Sequence, residues 1–198
     1  MDTAKNSYSN LTDAEIVDLT IQDQNVFLYI INRYEKPLYW YIKRISSCRD
    51  EEIEDILQDV FIKVYQNLNN YKPNLKFSSW IYRIARNLAI DYYRKNKKNI
   101  NSDNTDEWFL DRAMLKHITD DFNVDDNIDN KALAEKIKSI LNKMDLKYRE
   151  VMIYKYFEEK SYEEIADILK KPIGTVGTLI NRAKKQFIKI SEQEKTEF

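Results

Sequence analysis

Apolar residues recur at helical spacing along most of this chain, and this periodicity is the feature that most constrains its fold. The clearest instance is the segment 50–68, which begins with three acidic residues that favour the positive end of a helix dipole. Its apolar stripe consists of Ile53, Ile56, Leu57, Val60, Phe61, Val64 and Leu68. With only 2 Gly and 3 Pro, the chain also lacks the turn residues of an all-β protein. We therefore expect an all-α fold.

The residue inventory argues against several classes of function. Cys48 is the only cysteine, which excludes an intrachain disulfide and a cysteine-rich zinc site. His117 is the only histidine, which argues against a histidine-based metal site or catalytic triad. No apolar run approaches the roughly 18 residues of a membrane span, and the N-terminus lacks a signal-peptide core. We expect a soluble cytoplasmic protein that is not an enzyme, holds no metal or cofactor and does not insert into membranes.

Charge is segregated along the chain, although the net charge is only −1. Residues 101–130 contain nine acidic and two basic residues, and the flanking segments carry the excess of positive charge. This pattern predicts a disordered tail at 1–10, a first helical domain at 11–99, a flexible acidic linker at 100–130 and a second helical domain at 131–198.

The first domain is expected to begin with two helices that precede the segment 50–68. Thr12 and Glu15 form a capping-box pattern that opens a short helix, which continues to about Asp23. The next helix begins near residue 24 or 25, and Pro37 within its pattern predicts a kink or a break near residues 35–36. The apolar side of this helix comprises Phe27, Leu28, Ile31 and Tyr34.

The segment 77–98 combines an apolar side with a basic, aromatic character. Ser78 or Ser79 is expected to cap this helix. Its apolar side comprises Trp80, Ile81, Ile84, Ala85, Leu88 and Tyr92, and its aromatic residues are Phe77, Trp80, Tyr82, Tyr92 and Tyr93. Residues 82–98 include six basic residues and one acid, and Arg83, Asn87 and Arg94 share one edge. The pattern suits a nucleic-acid backbone with bases stacked nearby; the alternative is an ordinary surface helix with solvated cations.

The C-terminal segment predicts a helix-turn-helix. Ser161 and Glu164 form a second capping-box pattern, and a break at residues 170–172 precedes a last helix. The buried stripe of this helix comprises Val176, Ile180, Ala183 and Phe187, and its opposite side carries Gly174, Thr178, Asn181, Arg182 and Lys185. Small residues let a helix approach bases, Asn and Arg read base edges, and Lys neutralises phosphate. A helical hairpin with a solvated face is the alternative.

Two blocks of sequence carry a family resemblance. IEDILQDVFIKVYQNL, followed by FSSWIYRIARNLAIDYYRK, resembles region 2 of the extracytoplasmic-function (ECF) sigma factors. LNKMDLKYREVMIYKYFEEKSYEEIADILKKPIGTVGTLINRAKKQF is similar to their region 4. The resemblance implies a sigma region 2 helical bundle joined by the acidic linker to a sigma region 4 helix-turn-helix. It also implies a bacterial transcription initiation factor that performs no covalent chemistry.

The resemblance further implies partners and sites. Core RNA polymerase would be bound through the clamp helices of its largest subunit and through its flap, and the region 2 positions fall on Asp55, Gln58, Asp59 and Phe61. A flipped base of the minus-10 promoter element would be captured near Lys76, Arg83, Asn87 and Arg94. The minus-35 element would be read by Gly174, Thr175, Thr178, Asn181, Arg182 and Lys185. Members of this family are commonly held inactive by an anti-sigma factor.

Two departures from the family pattern lie in the last helix. Gly177 and Leu179 stand where many family members carry basic residues, so promoter sequence does not transfer from relatives. A second hypothesis is a stand-alone DNA-binding regulator whose N-terminal half senses a signal or dimerises, and a decoy or anti-anti-sigma role is a third. Tight promoter binding without polymerase would favour the regulator.

Overall fold

The computed structural model describes residues 8, 10–46, 48–97 and 128–196, and all regular elements within these ranges are helical. The α-helices are α1 (Asp13–Gln22), α2 (Phe27–Ile45), α3 (Asp50–Gln66), α4 (Phe77–Lys97), α5 (Ile128–Lys143), α6 (Leu146–Tyr156), α7 (Tyr162–Leu169) and α8 (Ile173–Thr196). Short 3-10 turns at Gln24–Val26 and Leu68–Asn70 precede α2 and follow α3. The all-α prediction is confirmed. The acidic segment 101–127 and most of the N-terminal tail lie outside the described residues.

None of the described helices combines the length and the hydrophobicity that a bilayer span requires. Across the same part of the chain, no group of three or more His, Cys, Asp or Glu side chains is arranged to hold a metal ion.

The helix α1 begins where the sequence predicts. The Thr12 backbone N–H donates to the Glu15 carboxylate at 2.7 Å, and the Glu15 N–H donates to the Thr12 hydroxyl at 3.3 Å, so the capping box is complete. Asp23 then accepts a hydrogen bond from the Asn25 N–H at 3.0 Å, which starts the turn into α2. The capping box matches the helix start that the sequence predicts. Arg33 and Tyr34 of α2 also donate hydrogen bonds to Asp13 at this end of α1.

The helix α2 differs from expectation in two respects. It runs through Pro37 without ending, so of the predicted kink or break the break is wrong, and the kink stays a prediction. Leu38 and Tyr41 are fully buried just beyond the proline, and their packing holds the helix together despite the lost hydrogen bond. Leu28 is 58% exposed, so its assignment to the apolar side is also wrong. The buried side consists of Phe27, Ile30, Tyr34, Leu38, Tyr41, Ile42 and Ile45.

The helices α3 and α4 form the centre of the first half. All seven residues of the predicted α3 stripe are buried, at no more than 9% exposure, against α2 and α4. The helix α4 begins at Phe77, so Ser78 and Ser79 lie inside its first turn and the predicted serine cap is wrong. Trp80, Ile81 and Ala85 are buried, whereas the outer members of the predicted apolar side are half-buried against the core. Those outer members are Ile84, Leu88 and Tyr92.

The second half is a bundle in which α6 and α7 pack against α8. The predicted capping box at the start of α7 is confirmed, because the Glu164 N–H donates to the Ser161 hydroxyl at 3.2 Å and the Ser161 N–H donates to the Glu164 carboxylate at 3.0 Å. Lys170 ends α7 with a φ of 53°, in the left-handed region. In α8, Val176, Ile180 and Ala183 are buried and Phe187 is half-buried, as the periodicity predicts.

The two halves pack directly against each other, which the sequence did not predict. The helix α7 lies against α4, and α6 contacts α2. At the centre of this contact, the rings of Tyr41 and Tyr154 stack with centroids 5.2 Å apart, and both side chains are fully buried. The fold therefore brings the helix-turn-helix against the helix that carries the basic edge.

Candidate polymerase and nucleic-acid interfaces

The outer face of α3 carries the residues expected to contact polymerase. Asp55, Gln58 and Asp59 lie one helical turn apart and are all exposed. Phe61 differs from them, because it is only 9% exposed and its ring meets Phe27 edge-on with centroids 6.5 Å apart. The exposed face is thus acidic and polar, with Phe61 supporting it from the core side.

A groove of about 690 Å³ runs between α2 and α3 beside this face. Gln58 and Phe61 line it together with Glu35, Lys36, Glu54 and several apolar side chains. The apolar lining residues include Ile31, Leu57 and Ile62. Ile62 is 54% exposed, so the groove combines an exposed apolar surface with charged side chains, two acidic and one basic, at its border. Such a surface suits a helix with mixed apolar and cationic side chains.

The basic edge of α4 holds the residues expected at the minus-10 element. Asn87 and Arg94 are exposed and Arg83 is half-buried, and the three project along one edge by helical geometry. Lys76 stands on the loop before α4, where its ammonium group lies 3.3 Å from the carboxylate of Glu164 in the second half. Three of the four expected residues therefore share one edge of α4, and the fourth is engaged by the chain's own carboxylate.

Three of the five aromatic residues of α4 lie in the core. Phe77, Trp80 and Tyr82 are 2%, 8% and 2% exposed, so the expectation that bases stack on them is wrong for this arrangement. Tyr71, in the loop before α4, packs edge-on against Phe77 with centroids 5.3 Å apart and is half-buried. Large aromatic rings gain more from burial in the core than from contact with solvent, which decides their placement.

The reading face of α8 is open. All six residues expected to read the minus-35 element are exposed: Gly174, Thr175, Thr178, Asn181, Arg182 and Lys185. A Cβ atom added at Gly174 would meet nothing within 4 Å, so this end of the helix is free to approach another surface closely. The Thr178 hydroxyl donates to the Gly174 carbonyl at 3.0 Å. Leu179, by contrast, packs against the core and is half-buried.

Sequence reasoning missed three carboxylates at the contact between the halves. Glu150 and Glu158 have side chains only 6% exposed, and they pair with Arg86 and Arg44 respectively. Burial raises the pKa of Glu158, although Tyr82 and Arg44 donate hydrogen bonds that oppose the shift. Burial also acts to raise the pKa of Glu164, but hydrogen bonds from the Ser161 backbone, Lys76 and Ser78 together bring it below the usual value. The sequence does not reveal the burial of Glu150 and Glu158, which becomes visible only in the structure.

The described ranges are helical, and the second half contains a helix-turn-helix, a motif typical of helical DNA-binding proteins. The profile described as Sigma-70 region 2 matches residues 30–99, and that described as Sigma-70, region 4 matches residues 134–187. The ECF RNA polymerase sigma factor SigW of Bacillus subtilis is 36% identical over 163 residues, which cover 82% of this chain and 87% of the relative. The ECF RNA polymerase sigma-E factor of Escherichia coli is 30% identical over 183 residues, which cover 88% and 91%. This chain belongs to the ECF group of sigma-70 RNA polymerase sigma factors, which act in transcription initiation.

Two solved structures share the fold. CnrH, solved in complex with the cytosolic domain of CnrY, aligns with a TM-score of 0.66 at 19% identity over 91% of this chain and 97% of that one. The sigma factor RpoE, solved with the anti-sigma factor NepR from Bartonella quintana, aligns with a TM-score of 0.62 at 19% identity over 84% and 96%. At this level of identity the likeness concerns the fold alone.

Proposed function

We propose that this chain binds core RNA polymerase through the outer face of α3, captures a minus-10 base at the edge of α4 and reads the minus-35 element with α8. The supporting observation is that a single chain of the ECF group presents three separate exposed polar faces, each with chemistry suited to one of these tasks. Promoter opening is then driven by binding energy, because capture of a flipped base offsets the cost of unstacking it.

The polymerase contact rests on the exposed carboxylates and amide of α3. Asp55, Gln58 and Asp59 are available to accept charge-assisted hydrogen bonds from cationic side chains of the clamp helices. The adjoining groove offers apolar contact to the same helical partner. The combination of an apolar floor and polar border is typical of a helix-binding surface.

Titration of core polymerase tests this contact. Asp59→Ala and Gln58→Ala should each weaken binding by roughly 5- to 30-fold, because each removes a hydrogen bond worth about 1–2 kcal/mol. Asp18→Ala is the matched control, since it removes an exposed carboxylate from α1 instead of α3. If both α3 variants bound core polymerase as tightly as the native chain, the proposal that α3 contacts the clamp helices would be contradicted.

Base capture rests on the edge formed by Arg83, Asn87 and Arg94. The Asn87 amide can both donate to and accept from the Watson–Crick edge of an extruded base, and the arginines can neutralise the neighbouring phosphates. Since Phe77 and Trp80 are buried, the hydrogen-bonding groups rather than the rings carry this step.

Open-complex formation tests base capture directly. Asn87→Ala should leave polymerase binding intact and reduce open complexes by roughly 5- to 100-fold, the equivalent of the 1–3 kcal/mol of a good base contact. Asn32→Ala, which removes an exposed amide from α2, is the control. Equal open-complex lifetimes for Asn87→Ala and the native chain would count against the role. Start sites mapped by run-off transcription with genomic fragments would supply the promoters.

We further propose an anti-sigma partner that covers the α3 face and its groove. Two similar folds were solved with such partners or with a partner's cytosolic domain. The exposed apolar side chain of Ile62 lines the groove and would be covered by such a protein. Leu28, also exposed, lies one helical turn before the lining residue Ile31. A partner at this position should compete with core polymerase in a binding assay; simultaneous binding of both would place it elsewhere.

A further inference from the structure

The two edges of α8 differ in charge. Arg182 lies on one edge, and Gly177 lies on the other, roughly 140° away around the helix axis by helical geometry. Lys184, about two turns beyond Gly177, is the first cation on that second edge. The major groove is bordered by a phosphate strand on each side, so a helix lying in it meets phosphates along both edges. The beginning of the Gly177 edge presents no charge of its own to such a strand.

Lys184 is held at this edge by a tyrosine at the end of α6. Its ammonium lies 5.9 Å from the centroid of the Tyr156 ring, and a hydrogen bond with the Tyr156 hydroxyl raises the pKa of Lys184. Both side chains face solvent, and Tyr156 is 47% exposed although it is a large aromatic residue. The contact thus keeps a charged ammonium at a defined place on the outer side of α8 without burying it.

A second lysine stands beside the uncharged part of the same edge. The Lys155 ammonium lies 5.4 Å from the centroid of the Tyr162 ring, and both residues are half-buried. The Tyr162 ring also borders Gly177, because a Cβ atom added at Gly177 would lie 3.8 Å from the Cε2 atom of that ring. Lys155, Tyr162 and Gly177 therefore adjoin one another, and α6 places a cation beside the part of α8 that has none.

The four side chains of Lys155, Tyr156, Tyr162 and Lys184 form one surface, which we call the side patch. An electrostatic effect of Tyr162 contributes to the raised pKa of Lys184, so the two lysine–tyrosine pairs are neighbours. Across the described part of the chain, neither lysine belongs to an ion pair. Ammonium groups and phenolic hydroxyls donate to phosphate oxygens. Since cation–π contacts at exposed sites are weak, the lysines can exchange them for phosphate.

We propose that the side patch binds the phosphates of the DNA strand next to the Gly177 edge of α8. Its two lysines supply the charge, and its two tyrosines position them. The inference rests on the proposed function of α8 and adds contacts that fix how this helix lies in the major groove. Phosphate contacts set the orientation of a protein on the duplex and carry no sequence preference of their own. The side patch thus balances the cation on the opposite edge of α8.

The salt dependence of duplex binding by the full-length chain tests the charge of the side patch. The probe is a duplex of mixed sequence, because phosphate contacts do not depend on the bases. Lys155→Ala combined with Lys184→Ala should lower the slope of log affinity against log salt by about 2, one for each lost phosphate contact. Lys136→Ala, an exposed change on α5, should leave the slope unchanged. A double lysine variant with the native slope would overturn the proposal.

Arg182→Ala separates failure of the side patch from failure of the proposed function. If Arg182→Ala lowers the slope and the double lysine variant does not, α8 contacts DNA but the side patch does not, and the inference alone is overturned. If neither variant changes the slope, the proposed contact of α8 with DNA is overturned together with the side patch. A lower slope in both variants supports contacts along both edges of the helix.

Moving the charge onto α8 tests the location of the side patch. The backbone of Gly177 is not in the left-handed region, and the contact of an added Cβ atom is an ordinary one, so a side chain fits there. In the double lysine background, Gly177→Arg should recover about half of the lost slope, because it returns one cation to the same strand. Gly177→Ala, which adds a side chain without charge, is the matched control and should recover none. Equal slopes for Gly177→Arg and Gly177→Ala would overturn the assignment of this edge to a phosphate strand.

Removal of a single hydroxyl tests whether Tyr156 acts by positioning Lys184. Tyr156→Phe should weaken duplex affinity about 2- to 5-fold in the native chain and leave it unchanged in a Lys184→Ala background. The urea midpoint should be the same with and without the hydroxyl, since this side chain is exposed. An equal loss of affinity in both backgrounds would show that Tyr156 does not act through Lys184 and would overturn its positioning role.

Discussion

The basic edge of α4 and the reading face of α8 are two surfaces of similar chemistry in very different settings. The α8 face exposes all of its expected residues, from Gly174 to Lys185, to solvent. The helix α4 is packed against α2, α3 and α7, and Lys76 just before it is engaged by Glu164. Among the described residues, a duplex can approach this face of α8 without displacing a contact. Access to the start of α4 requires the contact between Lys76 and Glu164 to break.

This difference matches what each surface is proposed to do. A double-stranded element presents its edges in the major groove at all times, so a permanently exposed helix can read it. A flipped base exists only after the duplex has been opened, so the surface that captures it need not be available beforehand. If α8 and α4 act as proposed, the difference in accessibility would by itself order the two recognition steps.

Core substitutions beneath the two surfaces should have the largest effect. Ile81 in α4 and Ile180 in α8 are 0% and 1% exposed, and shortening either to Ala should destabilise the chain by about 2–5 kcal/mol. Because the halves pack together, Ile180→Ala should also lower the urea concentration at which the first half unfolds. Trp40 and Trp80 report on that half by fluorescence, in a background where Trp108 is replaced by Phe.

The measurement is urea unfolding followed by circular dichroism and by fluorescence. Ile188→Ala is the control, since Ile188 is 56% exposed on α8 and should change both midpoints little. If the urea midpoint from tryptophan fluorescence were the same in Ile180→Ala and the native chain, the halves would unfold independently. The surfaces of α4 and α8 would then belong to two energetically uncoupled domains.

Loss of a cation from the open face should have the next largest effect on the free chain. Arg182→Ala should weaken binding to duplex DNA of mixed sequence and lower the slope of log affinity against log salt by about 1, as expected for one lost phosphate contact. Arg83→Ala on α4 should change the slope in the free chain by less than half of that. Lys136→Ala, an exposed change on α5, is the control. Equal effects of the α4 and α8 variants would mean that the two surfaces are equally accessible.

The tyrosine pair between the halves should contribute a smaller amount. Tyr41→Phe, Tyr154→Phe and the double variant form a cycle whose coupling energy should be about 0.5–1.5 kcal/mol, because the two buried hydroxyls satisfy each other. Urea midpoints of the four proteins give the value. Tyr148→Phe on α6 serves as the control, since this half-buried side chain lies away from Tyr41. A coupling energy near zero would show that the hydrogen bond between the two hydroxyls does not stabilise the contact between the halves.

The local elements of the fold follow from the sequence, because the residues that specify them are close neighbours. Both capping boxes and the whole buried stripe of α3 are where the pattern puts them. The polar residues expected on the outer faces of α3 and α8 are exposed, as are Asn87 and Arg94 on α4, whereas Arg83 is half-buried. The serine cap fails because Phe77 is drawn into the core and starts α4 one residue before Ser78, whose hydroxyl bonds Glu164 instead.

The contact between the halves could not be predicted, because it joins residues more than 60 positions apart. The helix α6 is the informative case: it is covered on one side by α8 and on the other by α2, so apolar and charged residues alternate without a clear polar face. Arg149 and Glu150 are 1% and 5% exposed among buried Val151, Ile153 and Tyr154. A helix of this composition signals burial on two sides, but the periodicity does not say which partner covers the second side.

The turn that leads into the open face should yield the smallest effect. Lys170 ends α7 with a φ of 53°, where a side chain is disfavoured, so Lys170→Gly should stabilise the chain by about 0.5–1 kcal/mol. Lys171→Gly, at the next position and not in the left-handed region, should give no gain. Thermal unfolding distinguishes the two. Since Lys170 is exposed and lies outside the six residues of the reading face, its removal should reduce duplex affinity less than Arg182→Ala does. If Lys170→Gly reduced duplex affinity as much as Arg182→Ala, the DNA-contacting surface of the second half would include the turn before α8. The difference in accessibility between this surface and the edge of α4 would then be larger.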